Sequence, residues 1–355
     1  MGDHQSVLTS GKDTVTTVDD MTIEQEAPAA SAAGAPARLA ARTRNLRKVY
    51  GKTVAVDHVD LEVPVGAVLG MLGPNGSGKT TTIRMLLGLT TPTAGSAELL
   101  GHKMPEGAGW ALPEVGALVE GPGFHPFLSG RENLMRCAAA EPRLASRDIP
   151  RAVGQALERV GLSAAANRRY RGYSLGMKQR LGLASALLLP RRLVVLDEPT
   201  NGLDPAGTRE VRAVIADLHA AGTTVLVSSH LLAEVEATCT HVAVLHQGSV
   251  VAQGELAELL EAGDTGLLVS TPDGTVAVDA LRDNRIPARE APGGVRVDLA
   301  ATTAPDVVAT LVRAGVAVHE VRRQRTGLED LFARLTESSS SGSQLSEVDT
   351  FEEKS

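Results

Sequence analysis

Aromatic residues are nearly absent from this chain of 355 residues: Phe, Trp and Tyr together make up 2%. A core must therefore be filled by aliphatic side chains and alanine, which the 43% apolar content allows. Cysteine is almost missing too. Cys137 and Cys239 stand outside any CxxC or other metal-ligand spacing, which argues against a zinc or iron–sulfur motif. Two free thiols in a reducing compartment are expected. No run reaches the ~18 apolar residues of a membrane helix. The best stretch, Leu181 to Leu189, is short and contains Gly182 and Ser185. The opening MGDHQSVLTS carries an acid and no apolar run, so no secretory signal is expected. Positive charge is not in surplus: 35 Lys and Arg stand against 42 Asp and Glu, net −7. That argues against a nucleic-acid partner. If the chain serves a membrane, a partner must supply the span.

Residues 1–40 are rich in Ala, Ser, Thr, Pro and acid without a sustained period, and read as a disordered arm. Order is expected from about Arg42. Val63 to Gly73 reads as a buried strand entering a Gly-rich turn, and Thr80 to Leu89 as the helix that follows. Leu193 to Leu196, Thr223 to Ser229 and Val242 to His246 read as buried strands. Buried strands alternating with helices predict an α/β fold with a mostly parallel sheet. A second unit should start near Asp264. Gly266 to Thr271, Gly294 to Leu299 and Val316 to Val321 read as strands, and Val276 to Arg282 and Ala304 to Ala314 as helices. That pattern suggests a small α+β, ferredoxin-like domain over 263–337, closed by a helix over Gly327 to Leu335. The Ser-rich, acidic stretch 338–355 reads as a disordered tail.

The densest signal is Gly73-Pro74-Asn75-Gly76-Ser77-Gly78-Lys79-Thr80, which fits G-x-x-x-x-G-K-[ST] in full, with Thr81 next. It follows a predicted strand and opens a predicted helix. Glycines let backbone N–H groups wrap an anion without Cβ clashes, and the helix N-terminus adds partial positive charge. Lys79 can reach the β- and γ-phosphates of ATP, and the Thr80 hydroxyl can ligate Mg²⁺.

Asp197-Glu198 ends the apolar run Leu193 to Leu196. A carboxylate at that place can hold Mg²⁺ through water, and the next acid is placed to take a proton from an attacking water. His230 follows the run Thr223 to Ser229, where a contact to the γ-phosphate is expected.

In this order the motifs resemble those of ABC transporter ATPase subunits, over about residues 42–260. The resemblance implies a P-loop NTPase fold over 41–262, with a helical subdomain over about 122–190. Gly73 to Thr80 looks like Walker A, and Leu193 to Glu198 like Walker B with its catalytic Glu198. Tyr50 resembles the aromatic that stacks on adenine, Asn201 to Asp204 the D-loop, and His230 the switch histidine. Tyr173-Ser174-Leu175-Gly176-Met177 occupies the place of the signature Leu-Ser-Gly-Gly-Gln. Ser174 and Gly176 match; Leu175 and Met177 do not. In the family that motif serves the ATP of the opposite subunit. Glu120 stands where the Q-loop Gln is expected, as a further candidate for the metal.

Val115 to Glu120, Phe124, Leu128 to Leu134 and Gly327 to Phe332 are similar to drug and peptide-antibiotic exporters of the daunorubicin- and bacitracin-resistance types. The resemblance implies a homodimer, transmembrane permease partners and a place on the cytoplasmic face of the membrane. A different reading is a soluble ABC ATPase acting on ribosomes or nucleic acid. Against it, the chain has one set of motifs and no long heptad insertion.

Overall fold

The computed structural model describes residues 38–119, 123–261, 266–299 and 302–324. The first strand, Leu39–Tyr50, starts ahead of Arg42, where order was expected to begin. The reason is Ala40 and Ala41. Ala40 falls in the expected arm and Ala41 just ahead of the expected start, yet both are buried, and Ala41 pairs across to Val63 and Leu99. Leu39–Tyr50 is the centre of an antiparallel sheet. Thr53–Val59 flanks it on one side, Ala94–Leu99 and His102–Met104 on the other, and Glu62–Pro64 also pairs with it.

The second sheet has six strands, in the order Ser249–Glu255, His241–His246, Val68–Leu72, Thr224–Ser229, Leu193–Asp197, Val115–Leu118. All pairings are parallel except that of Ser249–Glu255, which is antiparallel. The three central strands are buried along their whole length. Alternation explains the continuous apolar runs. Leu69, Met71, Leu193, Val195 and Leu226 face a core shared with the antiparallel sheet and the helix Lys79–Leu86. Val68, Leu72, Val194, Leu196, Val225 and Val227 face the opposite core. There they meet the helices Gly130–Ala139, Ile149–Arg159, Leu175–Ala186 and Pro205–Ala220. A sheet covered on both faces needs apolar residues at every position, not every second one.

The expected strand Val63 to Gly73 is two strands. A turn divides Glu62–Pro64 from Val68–Leu72: Ala67 N–H donates to the Pro64 carbonyl at 3.2 Å, and Gly66 takes φ 84°. The expected helix Thr80 to Leu89 ends at Leu86. Gly88, at φ 70°, reverses the chain, and Leu89 N–H donates back to the Arg84 carbonyl at 2.8 Å.

Residues 266–324 carry a third sheet, antiparallel, in the order Ala288–Ala291, Gly294–Asp298, Gly266–Ser270, Glu320–Gln324. The helices Gly274–Asp283 and Ala304–Arg313 cover it around Leu267, Val269, Leu281, Val295, Val297, Val307 and Leu311. This strand order in a strand-helix-strand-strand-helix-strand succession is ferredoxin-like. The last strand begins at Glu320, later than Val316. Val316 instead closes the preceding helix, its N–H bonded to the Leu311 carbonyl at 3.0 Å and its side chain in the core. The arm over 1–37, Glu120, the helix expected over Gly327 to Leu335 and the tail lie outside the described residues.

Candidate active site

Three neighbouring parallel strands end at one place. Val68–Leu72 runs into Gly73, Leu193–Asp197 into Glu198, and Thr224–Ser229 into His230. The carboxyl ends of parallel strands are where open α/β sheets bind ligands.

After Leu72 the chain turns sharply. A methyl group at Gly73 would lie on the Leu245 carbonyl oxygen and the Ser77 hydroxyl, so only glycine fits. Gly76 and Gly78 take φ 85° and 99°, and Gly78 caps the helix Lys79–Leu86 in the left-handed region. Pro74, Asn75 and Gly76 are exposed, whereas Ser77 and Lys79 are buried. The Lys79 ammonium donates to the Gly73 carbonyl at 2.7 Å and the Pro74 carbonyl at 3.2 Å. The Ser77 hydroxyl is buried without a hydrogen-bond partner. A buried polar atom of that kind asks for a ligand or water. A glycine loop, a helix N-terminus, a buried cation and an orphaned hydroxyl together fit a phosphate group.

At the end of its strand Asp197 is buried, with Oδ1 accepting from Ser228 Oγ at 2.6 Å. Glu198 sits at φ 48°, left-handed and rare for a residue with a Cβ. Its carboxylate bridges two partners: Oε1 lies 3.3 Å from Lys79 Nζ, and Oε2 lies 2.7 Å from His230 Nδ1. The structure thus brings Lys79, Glu198 and His230 into one cluster, with Asp197 beside it. His230 touches Glu198 here, a partner the sequence did not suggest. Thr80 and Thr81 are partly buried in the first turn of the helix.

The other candidates lie around this centre. Tyr50 is half exposed, with Lys48 Nζ 5.0 Å from its ring centroid. Ser174 caps the helix Leu175–Ala186, its hydroxyl accepting from Met177 N–H at 3.2 Å. Leu175 is exposed, and Gly176 and Met177 partly so. Asp204 caps Pro205–Ala220, accepting from Gly207 N–H at 2.9 Å. The turn before it leans on the Ser174 helix: a methyl group at Gly202 would come within 2.8 Å of Leu175 Cδ2.

The sequence reading missed several polar residues. Ser228 also accepts Glu198 N–H at 2.9 Å. Gln179 Nε2 reaches the Glu198 carbonyl at 3.4 Å. Glu234 accepts from the hydroxyls of Thr200 at 2.5 Å and Ser229 at 3.1 Å. The available signal was the Ser228-Ser229 pair ending an otherwise apolar run.

The model of the ABC transporter family matches residues 56–201. The bacitracin transport ATP-binding protein BcrA of Enterococcus faecalis is 36% identical over 82% of this chain and 95% of its own length. This chain belongs to the ABC transporter family. It is similar to other ATP-binding subunits of that family, among them the Nod factor export ATP-binding protein I of Cupriavidus metallidurans, 37% identical over 82% of this chain and 96% of the relative. Its fold matches a dimeric ATP-binding cassette solved in a post-hydrolysis state with ADP and Pi, at TM-score 0.56 and 23% identity, covering 61% of this chain and 98% of that one. As an ABC ATPase subunit the chain binds and hydrolyses ATP. Among its described residues no helix is long and apolar enough to cross a membrane.

Proposed function

We propose that two copies of this chain hydrolyse ATP at their shared interface and drive an exporter of antibiotics or drugs through transmembrane partners. The work is done at the cytoplasmic face of the membrane. The carrying observation is the Glu198 carboxylate, held between Lys79 Nζ and His230 Nδ1 where three parallel strands end.

The ammonium of Lys79 is bonded to loop carbonyls and to Glu198. Phosphate oxygens of ATP compete for those donors. As Lys79 turns to the β- and γ-phosphates, Glu198 is released to orient water and accept its proton. His230, freed from sharing Glu198, donates to the γ-phosphate. The helix N-terminus at Gly78 and the Lys79 cation stabilise charge that grows on the transferred phosphoryl group. Tyr50 offers a ring face to adenine.

Asp197 and Thr80 supply hard oxygens of the type Mg²⁺ prefers, completed by phosphate and water. Mg²⁺ held there would neutralise charge between the β- and γ-phosphates. Ser174 and Gly176, at the exposed start of a helix, bind the γ-phosphate of the partner subunit's ATP. Support for export comes from the relatives, whose names record bacitracin transport and Nod factor export.

The test is Glu198→Gln, which keeps shape and removes the base. Turnover should fall by about 10²–10⁴-fold, while ATP affinity survives and an ATP-bound dimer accumulates. Hydrolysis near the unmodified rate, with the partner present, contradicts the assignment.

A further inference from the structure

The strand Thr224–Ser229 lies between the strand that feeds the phosphate loop and the strand that carries the acids. Ser228 is directly opposite Asp197 on one ladder and Met71 on the other. It is wholly buried and follows Val225, Leu226 and Val227. A serine in such a place loses apolar contact and gains only what its hydroxyl can bond.

That hydroxyl is used in both directions. It donates to Asp197 Oδ1 at 2.6 Å and accepts Glu198 N–H at 2.9 Å. A hydroxyl has one proton, so donation to the carboxylate fixes its rotor and leaves lone pairs for the amide. One atom thereby holds the side chain of Asp197 and the backbone of Glu198. Glu198 needs such a partner, because φ 48° persists only where its surroundings enforce it. Valine would fill the same space and make neither bond.

We infer that Ser228 is a positioning residue: it sets the orientation of the Asp197 carboxylate toward Mg²⁺ and pins the backbone from which Glu198 reaches water. It touches neither nucleotide nor metal. This rests on the reading of Asp197 as a metal-shell residue, and the experiment separates the two.

The probe is a fluorescent ATP analogue, with equilibrium binding followed as Mg²⁺ is titrated, so no turnover enters the measurement. Four chains are compared: unmodified, Asp197→Asn, Ser228→Cys and Ser228→Thr. Cysteine is close in size but a weak donor, and so is safer for the fold than alanine. Groups that orient metal ligands change metal affinity by about 10–100-fold when lost. Ser228→Cys should therefore raise the Mg²⁺ concentration for half-maximal effect by at least about tenfold, leaving affinity in EDTA unchanged. Ser228→Thr, which keeps the hydroxyl, should restore the original curve. A purely structural role would weaken binding with and without Mg²⁺ alike, and that result overturns the inference. If Asp197→Asn shifts the Mg²⁺ curve and Ser228→Cys does not, the inference falls and the reading of Asp197 stands. If Asp197→Asn leaves the curve in place, both fall.

Discussion

Behind the phosphate-loop strand, the thiol of Cys239 is buried against Gly70, where an added methyl would come within 2.8 Å of its Sγ. Burial, with the nearby Glu234 carboxylate, pushes this thiol up from 9.0 to about 12. The protonated form is therefore the one the fold favours. That contribution is complete below the ordinary thiol value and is lost as pH rises through about 12, so stability should decline across the alkaline range from pH 9. The thiolate is the reactive species. Iodoacetamide near neutral pH should leave Cys239 untouched in the folded protein and modify it only after denaturation. Cys137, partly exposed and also raised by burial, should react slowly in the native state. Mass spectrometry of labelled peptides distinguishes the sites; rapid labelling of native Cys239 would contradict this packing.

The helix Gly130–Ala139 opens on a start signal that the sequence reading did not use. Ser129-Gly130-Arg131-Glu132 spells a capping box, and both bonds are present: Glu132 N–H to Ser129 Oγ at 3.2 Å and Ser129 N–H to Glu132 Oε2 at 2.7 Å. Ser129→Ala should cost roughly 1 kcal/mol, the usual loss for an N-cap hydroxyl, read as a lower melting temperature. The Ser129 amide and hydroxyl also hold the exposed Glu132 carboxyl below its ordinary value. Its stabilising share is present above the ordinary carboxylate range and disappears as pH falls through the lowered value. The variant keeps the amide and loses only the hydroxyl's share of this effect. The gap in melting temperature should therefore narrow on acidification but persist, because the bond from Glu132 N–H to Ser129 Oγ does not titrate. The central strands were legible from the sequence, because burial on both faces leaves an unbroken apolar run. Elements whose residues belong to two patterns were not. Ala40 looks like arm and is core; Val316 looks like strand and closes a helix; Ala288–Ala291 is a short edge strand with charges at its centre. In the site, the glycine loop and acid pair carry their chemistry in residue type. Ser228 acts through Asp197 and Glu198, and Glu234 joins nearby Ser229 to Thr200; no local pattern records the contacts that span the sequence.

At the scale of the whole molecule the question is what completes the site. Ser174 and Leu175 lie exposed at the start of their helix, beside Met177 and the turn at Gly202. A helix N-terminus facing outward has free backbone donors to offer an anion. A head-to-tail pair related by two-fold symmetry would place that terminus over the loop of the other copy, forming two equivalent composite sites. The arrangement has a consequence that a self-contained site lacks. Lys79→Ala disables the loop half of a site, and Ser174→Arg disables the signature half by filling it with a bulky side chain. Each variant alone forms pairs in which both sites are broken. Mixed together, they form pairs in which one site carries both faults and the other carries neither. Turnover should therefore reappear on mixing two inactive proteins. The control is a chain carrying both substitutions, mixed with an equal amount of unmodified chain. Its mixed pairs have one fault in each site, so activity should come only from unmodified pairs. ATP hydrolysis measured against mixing ratio, with the membrane partner present, checks both arms. A mixture of the single variants no more active than either one alone would mean that Lys79 and Ser174 do not meet across two copies.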